Sequence, residues 1–268
     1  MDVYDRPAPE LQDLPLGLYD VNQLAILGAF FALFAYFVYT WNSKEEVSVR
    51  YRPSVLAGLC LSGVAMIAYA ILYRDLRSGF RLEGEVYVPS ADALHTLGTR
   101  YIDWSVTVPL LTVELLAVCS IAGARARNLR FTTMAAAFLM IVTGYVGFQV
   151  AGQGRDIFAL VVWGIISTAF FGYLYVALIG AVRASLPTMG SEAATSLRNA
   201  TIVLLSSFGI YPLVYAIPVF VDVTAAWYTA IQVGYSAADV VAKVGFGILT
   251  HKVAKLRTAE DVVAGVDT

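Results

Sequence analysis

Two ionisable residues, Asp239 and Lys243, lie inside the apolar segment AADVVAKVGFGILT. A spacing of four residues places both side chains on one face of a helix, one turn apart. An ionisable residue at the centre of a membrane helix costs about 2.5–3.5 kcal/mol on insertion scales, and such residues usually mark functional sites. We therefore expect this pair to have a functional role, with the rest of the chain as its scaffold.

A second set of polar residues follows one stripe of the segment GTRYIDWSVTVPLLTVELLAV. Asp103 and Glu114 are eleven residues apart, which is three helical turns and about 16 Å along a helix axis. Thr107 lies one turn from Asp103, where we expect its hydroxyl to hydrogen-bond the carboxylate. Arg100 stands one turn before Asp103. The order Arg, Asp, Thr, Glu along an otherwise apolar helix predicts a path with a direction.

The chemistry expected of these groups is proton relay. A buried lysine with Asp103 and Asp239 in reach stays charged, because opposite charges offset the cost of desolvation. Glu114 has no cation nearby in the sequence, so we expect burial to keep it protonated. A protonated acid on one side of a lysine and acceptor carboxylates on the other are the parts of a proton relay. The alternative is that these charges only pair to hold helices together.

The composition identifies the elements that must position these residues. Of the 268 residues, 59% are apolar and only 14% are charged, with a mean hydropathy of +0.70. Soluble domains carry about 25% charged residues. Apolar runs of about 20 residues, the length that crosses a bilayer, predict an all-α membrane protein. The net charge of −2 and the lack of a basic patch argue against nucleic acid as a partner. Cys60 and Cys119 show no metal or redox spacing, so no metal site is expected.

The hydropathy pattern predicts a bundle of seven membrane-spanning helices. We place the spans at about 22–42, 54–73, 99–120, 130–151, 157–183, 197–221 and 226–255. The connection at about 74–98 contains the alternating stretch RLEGEVYVPS, which predicts a short β-hairpin. Residues 1–257 then form one seven-helix domain, and residues 258–268 form a polar tail.

Lysine and arginine counts in the loops predict the orientation. Eleven lie on one side and five on the other, with Arg100 and Lys243 inside the spans. Because cytoplasmic loops are enriched in Lys and Arg, the C-terminus and its tail are expected in the cytoplasm. The N-terminus and the hairpin are then expected on the exterior side of the membrane.

The segments RYIDWSVTVPLLTVE and DVVAKVGFG resemble those of the microbial rhodopsins, the retinal-binding relatives of bacteriorhodopsin. The match covers nearly the whole chain. It implies that Lys243 carries all-trans retinal as a protonated Schiff base, with Asp103 as primary counter-ion and proton acceptor and Asp239 as second counter-ion. It further implies that Thr107 bonds Asp103, Arg100 governs the exterior exit, and Glu114 is the cytoplasmic proton donor. The Asp–Thr–Glu triplet is the pattern of light-driven outward proton pumps in the proteorhodopsin and xanthorhodopsin branches, which are ion transporters and not enzymes.

The same resemblance implies a retinal pocket. Its residues are Trp104, Val108 and Leu111 from the third span, Met140 and Gly144 from the fourth, Trp163, Ser167, Thr168 and Phe171 from the fifth, Phe208, Tyr211, Pro212 and Tyr215 from the sixth, and Ala242 beside Lys243. Two positions depart from the family pattern. Phe208 replaces the usual sixth-span tryptophan, and Ala70 is expected at the second-span position where many relatives carry a histidine. His95 is either a helix-entry surface residue or a group in exterior proton release.

Gly164 stands where bacteriorhodopsin has a tryptophan and xanthorhodopsin-like pumps have a glycine. By the resemblance, such a glycine opens a window beside the retinal ring and implies a carotenoid antenna. The alternative is close helix packing through a small residue. The resemblance also implies a location in the inner (plasma) membrane of a microbe, contact with membrane lipids and assembly into homotrimers or homopentamers.

Two other functions stay open on the sequence. One is a sensory photoreceptor that signals through a partner, against which Glu114 argues because sensors usually lack a carboxyl donor. The other is a seven-span transporter or membrane enzyme that uses the Lys–Asp pair without light. Light-driven acidification separates the first from a pump, and visible absorption after addition of retinal separates the second.

Overall fold

The computed structural model describes residue 6 and residues 8–266, and within them seven long helices form the bundle. The helices are α1 (Leu16–Ser43), α2 (Arg52–Gly79), α3 (His95–Ala117), α4 (Gly123–Val150), α5 (Ile157–Ser185), α6 (Ser191–Phe220) and α7 (Ala225–Val263). Six of them are long and apolar enough to cross a membrane. The seventh is α3, whose charged side chains reduce its hydropathy. The predicted fold class is therefore confirmed.

A small sheet closes one end of the bundle. Strands β2 (Phe80–Glu83) and β3 (Val86–Pro89) form the predicted antiparallel hairpin. Gly84, in the turn between the strands, has a positive φ of 65°, which suits a residue without a side chain. A third strand that the sequence did not predict, β1 (Leu14–Pro15), pairs with the other edge of β3. We refer to this as the hairpin end of the bundle and to the opposite end as the far end.

The helices pack in chain order around a closed ring, because each contacts the next and α7 returns to α1. Large apolar side chains such as Phe31, Ile102 and Val176 point outward. Polar side chains such as Asn22 and Ser62 are buried instead. This inverted distribution suits a chain whose surroundings are lipid, because only the interior offers hydrogen-bond partners to polar groups.

Two helices contain a π-helical stretch. The last turn of α4 is π-helical at Val146–Val150, and α7 is π-helical at Val240–Gly245. The second stretch contains Lys243. Such irregular turns are frequent at functional sites.

Helix α7 also continues past the predicted start of the polar tail at residue 258. The buried Arg257 donates to the Tyr51 hydroxyl at 3.2 Å, and the same hydroxyl donates to Asp261 at 2.8 Å. The start of the predicted tail is therefore packed against the bundle as the last turns of α7.

Candidate functional site

Lys243 lies at the centre of the bundle with no exposed surface. Its Nζ atom is 2.5 Å from Oδ2 of Asp103 and 3.2 Å from Oδ1 of Asp239. The structure thus brings together the three ionisable residues that the sequence places on two different helices. The Nζ atom of this free lysine occupies the position that the same nitrogen would have in a covalent adduct of Lys243. Two carboxylates on one cation make the lysine able to carry its charge in a low-dielectric interior.

The two carboxylates differ in how well they are satisfied. Asp239 accepts hydrogen bonds from Tyr69 Oη (2.8 Å), Tyr211 Oη (2.6 Å) and Trp104 Nε1 (3.1 Å). Asp103 accepts only from Lys243, and its Oδ1 atom has no partner within residues 8–266. Hydrogen bonds to a charged carboxylate favour the charged form. Asp239 is therefore surrounded by preformed donors, whereas Asp103 has one carboxylate oxygen without a hydrogen bond in the described residues.

Thr107 does not bond the Asp103 carboxylate. Its Oγ1 donates to the backbone carbonyl of Asp103 at 3.0 Å, four residues earlier in α3. A threonine in a helix interior often makes this local bond, because the carbonyl four residues earlier lies within hydrogen-bonding distance of its hydroxyl. The predicted contact between the hydroxyl and the carboxylate is wrong.

Arg100 faces α7. Its guanidinium donates to Gln232 Oε1 at 2.9 and 3.1 Å, to Tyr69 Oη at 3.0 Å and to Ser236 Oγ at 3.1 Å. The nearest carboxylate oxygen, Oδ2 of Asp239, is 3.9 Å away. Arg100 therefore joins the site through Asp239 and its tyrosine, on the hairpin side of Lys243.

Tyr69 is a residue that the sequence argument missed. It contacts both Asp239 and Arg100, and it is fully buried on α2. Ala70, expected to face the counter-ion, is exposed. Successive helix residues are about 100° apart, so an estimate that is off by a residue or two points to the wrong face. The buried tyrosine flanked by small apolar residues in MIAYAILYRD was the available signal.

Glu114 is buried on the far side of Lys243. Its Oε1 accepts from Tyr36 Oη at 3.3 Å, and its Oε2 has no partner within residues 8–266. Gly58 on α2 makes this contact possible, because a Cβ there would lie 2.7 Å from Tyr36 Oη and 3.1 Å from Glu114 Oε1. No ion pair to Glu114 occurs in the described chain. An isolated buried carboxyl of this kind suits the neutral, protonated form.

An apolar cavity of about 290 Å³ lies among α3, α4, α5, α6 and α7. Of the residues predicted around retinal, those that line it are Trp104, Val108, Met140, Gly144, Ser167, Thr168, Phe171, Phe208, Tyr211, Pro212 and Tyr215. Lys243 does not line the cavity itself, but Trp104 and Tyr211, which do, hydrogen-bond Asp239, the carboxylate 3.2 Å from the Lys243 Nζ atom. The cavity is near the lower end of the usual size range for small-molecule pockets, about 300 Å³.

Three predicted pocket residues do not line this cavity. Leu111 and Ala242 are fully buried in the core. Trp163 packs on the backbone of Gly147, where a Cβ would lie 2.5 Å from the tryptophan Cβ. Conversely, Tyr101 and Tyr235 line the cavity without having been predicted. Tyr235 lies two helical turns before Lys243 on α7, a spacing that could have revealed it.

The cavity opens toward the lipid between α5 and α6. Its lining includes Val161, Ile165 and Phe220, which are 39%, 66% and 81% exposed. Gly164 stands in this opening, where a Cβ would lie 3.0 Å from Cε1 of Tyr215. A larger residue would therefore press on Tyr215 and narrow the opening.

The site fits the group that the fold implies. An apolar slot walled by aromatic rings accepts a polyene. A fully buried primary amine held by two carboxylates, one of which is bonded by residues of the cavity wall, can form a covalent link to an aldehyde and carry a positive charge on it. His95, in contrast, is exposed at the first residue of α3 and is not part of the site.

Comparison with known proteins agrees with this geometry. The family described as Bacteriorhodopsin-like protein matches residues 21–256. Sensory rhodopsin-2 of Natronomonas pharaonis is 30% identical over 90% of this chain and 93% of its own length. Blue-light absorbing proteorhodopsin of Gamma-proteobacterium Hot 75m4 is 26% identical over 81% and 79%.

Solved structures show the same arrangement. Xanthorhodopsin, described as a light-driven ion pump with dual chromophore, superposes with a TM-score of 0.85 at 30% identity, covering 96% of this chain and 100% of that one. A thermophilic rhodopsin gives 0.85 at 30% identity over 94% and 99%. The chain therefore belongs to the bacteriorhodopsin-like family, the microbial rhodopsins, multi-pass membrane proteins that work as light-driven ion pumps or light sensors.

Proposed function

We propose that this protein is a light-driven outward proton pump, with retinal bound covalently to Lys243, Asp103 as the proton acceptor and Glu114 as the proton donor. One observation carries the proposal. The nitrogen of Lys243 contacts Oδ2 of Asp103, whose Oδ1 has no hydrogen-bond partner in the described residues. A second carboxyl, that of Glu114, lies on the opposite side of the lysine, and its Oε2 also has no partner there. An acceptor and a donor on opposite sides of one proton carrier are what directional transfer needs.

Retinal, when bound, supplies visible absorption and a light-driven isomerisation that changes the position of the Lys243 nitrogen relative to its hydrogen-bond partners. The protein's own residues then do the proton chemistry. Asp103 takes the proton because its Oδ1 has no hydrogen-bond partner in the described residues, whereas Asp239 already accepts hydrogen bonds from three side-chain donors. Glu114 returns a proton to the nitrogen from the far side and is refilled from the far end.

The direction follows from the charge of the loops. Eleven Lys and Arg residues belong to the far-end side and five to the hairpin side. We therefore assign the far end to the cytoplasm and the hairpin end to the exterior. One proton moved outward against 100 mV of membrane potential stores about 2.3 kcal/mol.

Asp103→Asn tests the assignment. We expect the variant to bind retinal, to absorb at longer wavelength because a counter-charge is lost, and to lose outward pumping. The measurement is acidification of an illuminated cell suspension, with the exposed carboxyl variant Asp92→Asn at the same end as control. Undiminished acidification by Asp103→Asn overturns the proposed acceptor.

A second candidate function is light sensing, which the similarity to Sensory rhodopsin-2 favours. A sensor would turn over slowly and would not acidify the medium. The presence of Glu114 favours the pump, because a buried carboxyl donor speeds the return of the proton. Illumination of cells that express the wild-type chain separates the two: a flat pH trace supports the sensor.

We further propose that a carotenoid binds at the opening beside Gly164. The exposed apolar rim formed by Val161, Ile165 and Phe220 supports it, as does the dual chromophore described for xanthorhodopsin. The expected result is a carotenoid contribution to the action spectrum of pumping, lost in Gly164→Trp and kept in Gly172→Trp, another α5 glycine, with no neighbours within 4 Å. An action spectrum that follows retinal alone leaves Gly164 as a packing residue.

A further inference from the structure

Glu10 is a fully buried carboxyl that belongs to none of the seven helices. It lies in the segment before β1 and folds over the hairpin end of the bundle. Its Oε1 accepts from Thr96 Oγ1 at 2.8 Å and from the backbone N–H of Leu97 at 2.7 Å. Both partners are in the first turn of α3, four and three residues before Arg100.

Capping of α3 explains only one oxygen of Glu10. Its Oε2 has no partner in the described part of the chain, and neither has the buried Tyr228 hydroxyl or the Gln232 Nε2. Buried polar groups without partners are uncommon, and each calls for a reason. Here three of them gather at one end of one site.

These atoms connect the end of the bundle to the centre. Glu10 acts electrostatically on Tyr228, whose hydroxyl faces the side chains of Thr96 and Gln232 without a hydrogen bond of ordinary geometry to either. Gln232 in turn accepts two hydrogen bonds from Arg100, which contacts Asp239. The path from Lys243 to Glu10 thus consists of polar side chains from α3 and α7.

The charge state of Glu10 suits a proton store. Burial raises the pKa of Glu10 from 4.5 to about 8, although the bonds from Leu97 and Thr96 partly oppose the rise. The titratable groups that face it are Tyr101 on α3 and Tyr228 on α7, with the guanidinium of Arg100 beyond. At neutral pH Glu10 therefore holds a proton.

We propose that Glu10 is the proton-release group of this protein, an inference that rests on the proposed outward pump. When a proton moves from the Lys243 nitrogen to Asp103, one positive charge moves toward the hairpin end. Asp103 is one turn from Arg100, whereas Lys243 is one turn deeper than Asp239, the residue that Arg100 contacts. The potential at the hairpin end then becomes more positive, and Glu10 gives its proton to the exterior. The proton on Asp103 later passes to Glu10 by way of Gln232 and Tyr228, so that one proton leaves per cycle.

The test is the time at which protons reach the exterior medium after a flash, measured with a soluble pH-indicator dye on the retinal-bound protein. Below about pH 8 the wild type should release its proton as Asp103 is protonated. Above that pH, Glu10 is already ionised and release should wait until Asp103 loses its proton. In Glu10→Gln, release should be late at every pH, because the proton then reaches the exterior only when Asp103 loses it, while proton transfer from the Lys243 nitrogen to Asp103 is still expected. Glu85→Gln, an exposed hairpin carboxyl, is the matched control.

Unchanged early release in Glu10→Gln overturns the proposal and leaves Glu10 as a helix cap. Glu10→Asp keeps an acid at this position, so it should retain early release with a shifted pH midpoint. If neither variant binds retinal, the pH dependence of proton release in the wild type tests the proposal. Release at the same time after the flash above and below about pH 8 would contradict a release group with the pKa of Glu10. A wild type that moves no protons outward under light would refute the pump itself, a result distinct from any of these.

Discussion

The two halves of the path on either side of Lys243 differ in their polar content. On the hairpin side, Asp239 and Arg100 are held by a network of tyrosine, tryptophan, glutamine and serine side chains. On the far side, within the described residues, the Glu114 carboxyl has one hydrogen bond, from Tyr36 at 3.3 Å, and its Oε2 has no partner. The hairpin half therefore offers more preformed hydrogen bonds to a charged group than the far half offers to Glu114.

This difference teaches how a static bundle acquires a direction. A half with preformed donors can receive and release a proton without reorganisation, because charged states are already solvated by fixed dipoles. A half with few donors favours a neutral carboxyl, because a buried charge without hydrogen bonds is costly. The asymmetry thus suits release on the hairpin side and delayed uptake on the far side.

Arg100→Gln should give the largest effect on stability. It removes a buried cation and leaves the oxygens of Gln232 and Ser236 without their donor. Breaking a buried ion pair by removing one partner costs about 3–5 kcal/mol. The measurement is thermal loss of the visible band, with the exposed Arg81→Gln as control. Glu114→Gln should change the thermal stability of the pigment little. Equal losses of thermal stability in Arg100→Gln and Glu114→Gln would contradict the inferred difference between the hairpin half and the far half.

Glu114→Gln should instead act on the kinetics. Loss of a positioned proton donor slows transfer by about 10²–10⁴-fold. We expect intact pigment and slow return of the proton to the Lys243 nitrogen, measured by flash photolysis, with the exposed far-end variant Glu45→Gln as control. An unchanged decay would exclude Glu114 as the donor.

Glu10 should make stability depend on pH. The folded state keeps the Glu10 proton between about pH 4.5 and about pH 8, whereas the unfolded chain releases it. Folding therefore takes up a proton over this range, and stability falls as the pH rises through it. We expect a melting temperature that declines by roughly 10 °C between these pH values, because each pKa unit corresponds to about 1.4 kcal/mol and about 1 kcal/mol moves the melting temperature by 2–4 °C in proteins of this size. The decline should be smaller in Glu10→Gln; an identical slope in that variant would assign it to other groups.

Tyr36→Phe should have the smallest effect. It removes the one donor to Glu114, a long bond worth about 1 kcal/mol. Return of the proton should change several-fold at most, with release on the hairpin side unaffected. Thr250→Val, which removes a buried hydroxyl that donates to the backbone carbonyl of Phe246, is the control. A slowing as large as that of Glu114→Gln would mean that Tyr36 is itself a proton carrier.

Much of the fold followed from hydropathy, because lipid demands long apolar helices whose length is set by bilayer thickness. The spans were predicted in number and order, but α2 extends to Gly79 and α7 to Val263, beyond the predicted residues 73 and 255. Helices continue past the apolar core when polar residues still form backbone hydrogen bonds, so hydropathy marks the membrane and not the helix end. Strand β1 has two residues, too few for any alternation to be visible.

The residue types and spacings by themselves determined that Lys243, Asp103, Asp239 and Glu114 are buried ionisable groups on two helices, because their neighbours in the chain are apolar. Only the tertiary structure decided which partners each one has. Tyr69, Gln232 and Glu10 come from α2, α7 and the N-terminal segment, and nothing in local sequence tells which of them meets Asp239, Arg100 or Thr96. Hydrogen bonds depend on distances of a few tenths of an ångström across helix interfaces, and side-chain packing sets those distances.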